Sequence, residues 1–253
     1  MVAPESSAIT RQVVAQAERK PYTSSVVEPR ARSFFASSIG TKVLVGATGI
    51  LLVVYLIVHV VGNLVFLFGP TSFNTYARTL SGLVIVPLIE IGLVFTFILH
   101  LYKAVTNWFA NRRARPSGYF RRNWGGRPSR KTIASSTMIF SGLILLIFIP
   151  IHVAQMRFGA GYTPASGLEH GHDFYAVELS VFSNPINVAF YLLCMVIVGS
   201  HLYHGVHSAF QSLGASHPAY TRWIMAGGKT LAVLVGFGFF IIPLYAYFFG
   251  VRA

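Results

Sequence analysis

The chain has 253 residues, 54% of them hydrophobic and only 11% charged, far from the roughly one-quarter charged composition of soluble domains, so a soluble fold is excluded. Its formal net charge of +13 comes from 20 Lys and Arg against 7 Asp and Glu, but the basic residues crowd into short polar stretches between apolar runs, where they mark membrane topology and not a nucleic-acid partner. The single cysteine, Cys194, lies in an apolar run, so this chain carries neither an intrachain disulfide nor a thiolate-held iron–sulfur cluster of its own.

Residues 1–38 are polar, with Ser, Arg and Pro scattered through them, and lack the apolar core and small-residue cleavage site of a secretory signal. They read as a cytoplasmic tail. A bilayer core of about 30 Å needs about 20 helical residues, and five runs meet that length: 39–68, 83–108, 133–156, 186–212 and 230–250. The expected fold is therefore an all-α, five-helix membrane bundle over 39–253. Pro87, Pro150 and Pro243 fall within the runs, where neighbouring helices can satisfy the freed backbone groups, and they suggest bends. Six Lys and Arg lie at or before Lys42, nine between Lys103 and Lys131, and two more at Arg222 and Lys229, all on one side; Arg78, Arg157 and Arg252 occupy the other. The positive-inside rule then places the amino terminus in the cytoplasm and the carboxyl terminus outside, in a multi-pass protein of the cytoplasmic membrane.

His59, His100, His152 and His201 fall one each on the first four spans, although ionisable side chains are costly in a bilayer and usually face a functional interior. With alternating helix directions, His59 lies 17 residues beyond Lys42 and His152 lies 21 beyond Lys131, which puts both in the outer half. His100 precedes Arg112 by 12 residues and His201 precedes Gly214 by 13, a common depth nearer the cytoplasm. A porphyrin leaves two axial positions on its iron, so a histidine from each of two facing helices can clamp one ring. Two layers imply two b haems, with His59 and His152 holding the outer and His100 and His201 the inner. Bis-histidine ligation leaves no open position, so these haems carry electrons. The bland alternative for any one of these histidines is a hydrogen bond to a neighbouring carbonyl; four at two matched depths argue against it.

The fourth span is ambiguous, because GSHLYHGVHSAFQSLG contains His201, His204 and His207. His201 matches His100 in depth, and each opens the tripeptide HLY. His204, one turn on, is the alternative ligand or a contact for a haem propionate, and His207 faces elsewhere as a polar packing residue.

The segments SSIGTKVLVGATGILL, HVVGNLVFLFG, FNTYARTL, NRRARPSGY and HLYHGVHSAFQSLG, in this order, resemble the cytochrome b558 family, the single-chain di-haem anchors of succinate dehydrogenase and fumarate reductase. The resemblance covers most of the chain. It implies a FAD-containing flavoprotein subunit and an iron–sulfur subunit docked on the cytoplasmic face, electron delivery through the two haems to a membrane quinone, favouring menaquinone, and no succinate oxidation by this chain alone. The family's ligand positions carry over onto His59, His100, His152 and His201.

Glu90 is the only carboxylate expected inside a span. Such a group is protonated or paired; it either bonds Ser or Thr across an interface or exchanges protons at an outer quinone site. His170, His172, Asp173 and Glu178 cluster in the outer loop, read as solvated or as part of a proton path, with a metal site the weaker reading. The basic loop 112–131 contacts anionic headgroups and the docked subunits. Two other functions stay open: the di-haem subunit of another quinone-linked dehydrogenase, such as a hydrogenase or formate dehydrogenase, and a transporter.

Overall fold

A computed structural model describes Phe34 and residues 37–114, 133–161, 173–215 and 217–250, with side chains described from Ser136 onward in the third span. The expected tail lies outside these residues apart from its last few positions. Seven α-helices are described: α1 (Ser38–Leu64), α2 (Pro70–Ser81), α3 (Ile85–Arg113), α4 (Ile133–Met156), α5 (Phe174–Ser183), α6 (Pro185–Ser212) and α7 (Thr221–Phe249). Five of them, α1, α3, α4, α6 and α7, are long and apolar enough to cross a membrane.

Local chemistry sets most of the boundaries. Ser37 caps α1 by accepting from the Gly40 N–H at 2.9 Å, satisfying one of the donors that a helix start leaves free. The helix tightens into a 3-10 turn over Val65–Phe68, and the chain then turns at Gly69, whose φ of 92° suits glycine. Pro70 opens α2 where its missing N–H costs nothing. Asn184 caps α6 through its side-chain oxygen and the Ile186 N–H, with Pro185 at the first position. Pro87 sits in the first turn of α3, so it needs no bend there, whereas Pro150 and Pro243 lie inside α4 and α7.

The described span α4 coincides with the expected one, and α1 and α6 each begin one residue early. α3 runs five residues past the expected 108, and α7 begins nine residues before the expected 230. The added segment TRWIMAGGK contains no proline, and its Gly228 packs against Val206 of α6, so tertiary contact outweighs the low helix propensity of the glycine pair. Arg222 lies over the Trp223 ring at 5.2 Å and Lys229 over the Tyr203 ring at 5.3 Å, the arrangement of cations and aromatic rings suited to a membrane boundary.

Two short helices, absent from the sequence reading, close the end opposite the start of α1. Asn74 on α2 donates from Nδ2 to Asp173 Oδ1 at 2.9 Å and accepts from the Tyr175 N–H at 3.0 Å. Asp173 also caps α5 through the Ala176 N–H. The solvated-loop reading of Asp173 and Glu178 is thereby overturned: the first is a structural clasp, and the second is buried on α5.

The bundle is centred on α6, which packs against α7, α4 and α1. Small residues allow its closest approach to α7, where a Cβ on Gly236 would sit 3.4 Å from the Gly199 Cα. Gly228, Ala232 and Gly236, four residues apart, form the contact edge, the small-residue packing favoured where lipid supplies no hydrophobic drive. α3 lies at the periphery along α1, and none of its residues is buried. Its Ile91, Phe95 and Ile98 face outward, a surface compatible with a lipid bilayer.

The α1–α7 contact is equally close. A Cβ on Gly238 would meet Val60 Cγ2 at 2.7 Å, so Gly238→Ala should destabilise the bundle by about 1–3 kcal/mol through overpacking. Thermal unfolding in detergent checks this, with Val60→Ala in the same chain expected to recover most of the loss; no recovery would place the strain elsewhere.

Candidate functional site

The four span histidines lie at two levels of the bundle. At the level nearer α2 and α5, His59 of α1 and His152 of α4 face each other with ring centroids 5.9 Å apart and planes crossed at 84°. Aromatic rings fix both: Tyr55 stacks on His59 at 5.2 Å and Phe239 approaches it at 5.5 Å, while Phe148 stacks on His152 at 5.4 Å and Tyr191 lies 6.0 Å away. Tyr191 is itself held by a hydrogen bond from its hydroxyl to Gln155 Oε1 at 2.9 Å.

Hydrogen bonding at this level is sparse. Asn63 Nδ2 lies 3.3 Å from His59 Nδ1 and donates at 2.7 Å to the His59 carbonyl. His152 Nδ1 is buried and has no hydrogen-bond partner among the described residues, an expensive condition for a polar atom in an apolar site.

At the other level, His100 of α3 and His201 of α6 lie within electrostatic reach of one another. His100 Nδ1 is 3.1 Å from Thr48 Oγ1 on α1, and His201 Nδ1 is 2.9 Å from Ser141 Oγ on α4. Each ring lies against a glycine: a Cβ on Gly49 would approach His100 Cε1 to 3.3 Å, and one on Gly142 would approach His201 Cε1 to 3.8 Å. His204, one turn further along α6, makes no comparable hydroxyl contact among the described residues.

The His59–His152 pair fits a bis-histidine haem, and His100 and His201 offer the same donor type at the other level. His59 and His152 face each other from two helices with 5.9 Å between ring centroids, so the two imidazoles could hold one haem between them. The donor set is also right in kind, since neutral imidazoles amid aromatic rings suit a flat apolar macrocycle better than a small hydrated cation. Among the described residues no group of three or more His, Cys, Asp or Glu is placed to hold a metal ion. His170 and His172, the alternative metal candidates, lie outside the described residues.

Among the described residues Glu90 makes no hydrogen bond to Ser or Thr and is paired instead. Its carboxylate pairs with Arg157 Nε at 3.3 Å, with both side chains about half exposed, and Tyr55 beside His59 is within its electrostatic reach. Among the described residues the buried acid is Glu178, expected from the sequence in the outer loop. Burial pushes its carboxyl up to about 8, because the charged form loses its water. The signal was available in FYAVELSVF, whose Tyr175, Val177, Val181 and Phe182 are all buried around it.

Comparisons of this chain with protein-family models, with curated proteins and with solved structures give no match.

Proposed function

We propose that this chain is the di-haem cytochrome b anchor of a succinate:quinone oxidoreductase, carrying electrons between a partner's iron–sulfur centre and a membrane quinone, with menaquinone the favoured acceptor. The observation that carries the cytochrome reading is the placement of four histidines, from four spans, as two pairs at two levels. The assignment to succinate:quinone chemistry rests on the sequence resemblance. Bound haem would supply one-electron transfer at each level.

The protein's own contribution is positional. His59 and His152 present imidazole nitrogens from facing helices, and Tyr55, Phe148 and Phe239 restrict their rotation. His100 and His201 do the same at the other level from the edges of Thr48–Gly49 and Ser141–Gly142. The charge bias orients the His100–His201 level toward the cytoplasm, where Arg112, Arg113, Arg222 and Lys229 offer a basic face to the FAD-containing flavoprotein and iron–sulfur subunits and to anionic lipid. Glu90 and Arg157 then occupy the outer edge, where Glu90 is placed to exchange protons with a quinone.

Purification of the full chain from its native membrane tests the reading. Two haems per chain and a copurifying FAD subunit are expected, with succinate-dependent quinone reduction in the complex. In that complex Glu90→Gln should slow quinone reduction several-fold at unchanged haem content. A chain without haem would remove the cytochrome; a two-haem chain associated with a different dehydrogenase would remove succinate chemistry alone; unchanged turnover would remove Glu90.

A further inference from the structure

The two levels of the bundle are joined by a repeated pattern on α1 and α4. Thr48–Gly49 precedes His59 by 11 residues from the threonine, and Ser141–Gly142 precedes His152 by 11 from the serine. Eleven residues are close to three helical turns, about 16 Å, and return to the same face within about 20°. Each of these helices therefore carries one histidine of its own and, three turns earlier on the same stripe, a hydroxyl–glycine pair against the histidine of another helix.

At each pair the hydroxyl also has a backbone acceptor on its own helix. The Thr48 hydroxyl donates to the Leu44 carbonyl at 2.6 Å, and the Ser141 hydroxyl donates to the Met138 carbonyl at 2.9 Å. Each hydroxyl has one proton, so once it is given to the carbonyl only lone pairs remain for the imidazole. The Val45 carbonyl, which can only accept, also faces the His100 ring. Thr48 and Ser141 are buried, and a backbone return bond alone would require neither of them to meet a histidine on another helix. That both do, at the same offset, is what the repeat adds.

Resting on the haem reading above, we infer that Thr48 and Ser141 are positioning residues that hold His100 and His201 as Nδ1–H tautomers, leave Nε2 free as the metal donor, and strengthen that donor. An acceptor on the remote ring nitrogen fixes the tautomer and raises ligand basicity. The far level lacks an interhelical hydroxyl of this kind, since His152 Nδ1 has no partner among the described residues and His59 Nδ1 meets only groups of its own helix, the Asn63 amide nitrogen at 3.3 Å and the Tyr55 hydroxyl at 3.5 Å. The two levels thus differ in the tuning of their ligands while sharing the ligand type. A more basic ligand stabilises the oxidised, more positive metal, so the device lowers the potential at the His100–His201 level.

The test is a redox titration of the purified full chain with its native haem complement, comparing wild type, Thr48→Val, Thr48→Ser and Ser141→Ala, with haem content and low-spin electron paramagnetic resonance recorded for each. Thr48→Val and Ser141→Ala should raise the reduced-to-oxidised ratio of one haem at fixed poise by threefold or more, about 28 mV, and alter its resonance, while the other haem is unchanged. Thr48→Ser should behave as wild type. Loss of one haem in Thr48→Val with retention in Thr48→Ser supports the same role for the hydroxyl. Unchanged potentials in the hydroxyl-free variants, or equal effects of Val and Ser at position 48, would overturn the inference while leaving the cytochrome reading in place; a wild-type chain without haem would remove both.

Discussion

Replacing His59 or His152 by alanine is expected to abolish one haem and leave the other, and replacing His100 or His201 to do the converse. The effect should be all-or-none at the far level, because the rings surrounding that pair are Tyr55, Phe148, Phe239 and Tyr191 and none supplies a second imidazole. At the other level the outcome can be graded. His204 is one turn from His201 on nearly the same face, so the His201→Ala chain has a substitute nitrogen within a short shift of α6, though without the Ser141 hydroxyl and Gly142 edge that seat His201. Haem extraction and a redox titration of each variant give the count and the identity of the site lost. Retention of both haems in His201→Ala together with loss of one in His204→Ala would transfer the ligand role to His204. Retention of both in His59→Ala would break the pairing itself.

The spans and the two-level arrangement were legible because both depend on short-range rules. Apolar runs of bilayer length become helices with little help from tertiary context, and depth along a span follows from the rise per residue. The start of α7 lies outside the apolar run that marks the fifth span, since bilayer length bounds the apolar core of a helix and not the helix itself; Arg222 and Lys229 in this extension each lie over an aromatic ring. The helices α2 and α5 were hidden for a different reason: both are shorter than a span, and they are held by long-range pairing of Asn74 with Asp173 across 99 residues. No local pattern announces such a contact. The hydroxyl–glycine repeat was present in the sequence as TG and SG eleven residues before a histidine, but its meaning depends on which helix approaches that edge. Glu178 is expected in the outer loop with His170, His172 and Asp173, yet its immediate neighbours in FYAVELSVF are apolar, and they bury it on α5.

Glu178→Gln should stabilise the protein at pH 8 and change little near pH 4. The side chain is buried on α5, with Tyr175 and Tyr191 within its electrostatic reach. Its carboxyl in the folded protein is pushed up to about 8 from the ordinary 4.5, so between these values the folded chain holds a proton that the unfolded chain has released. Stability depends on pH through the difference in protons bound, and where the folded state binds more, raising pH destabilises it. The loss begins as pH rises past the unfolded value of about 4.5 and is complete once it passes the folded value of about 8. A difference of this size corresponds to roughly 4–5 kcal/mol at the top of the window. Glutamine keeps the shape and cannot ionise, so it removes this dependence while leaving the packing of Tyr175, Val181 and Phe182 in place. Thermal unfolding of the two proteins in the same detergent, measured from pH 4 to pH 9, should give curves that converge at low pH and separate steadily above pH 5. A constant separation across the range would show that the substitution acts through packing and that Glu178 is not a buried acid held neutral by its surroundings.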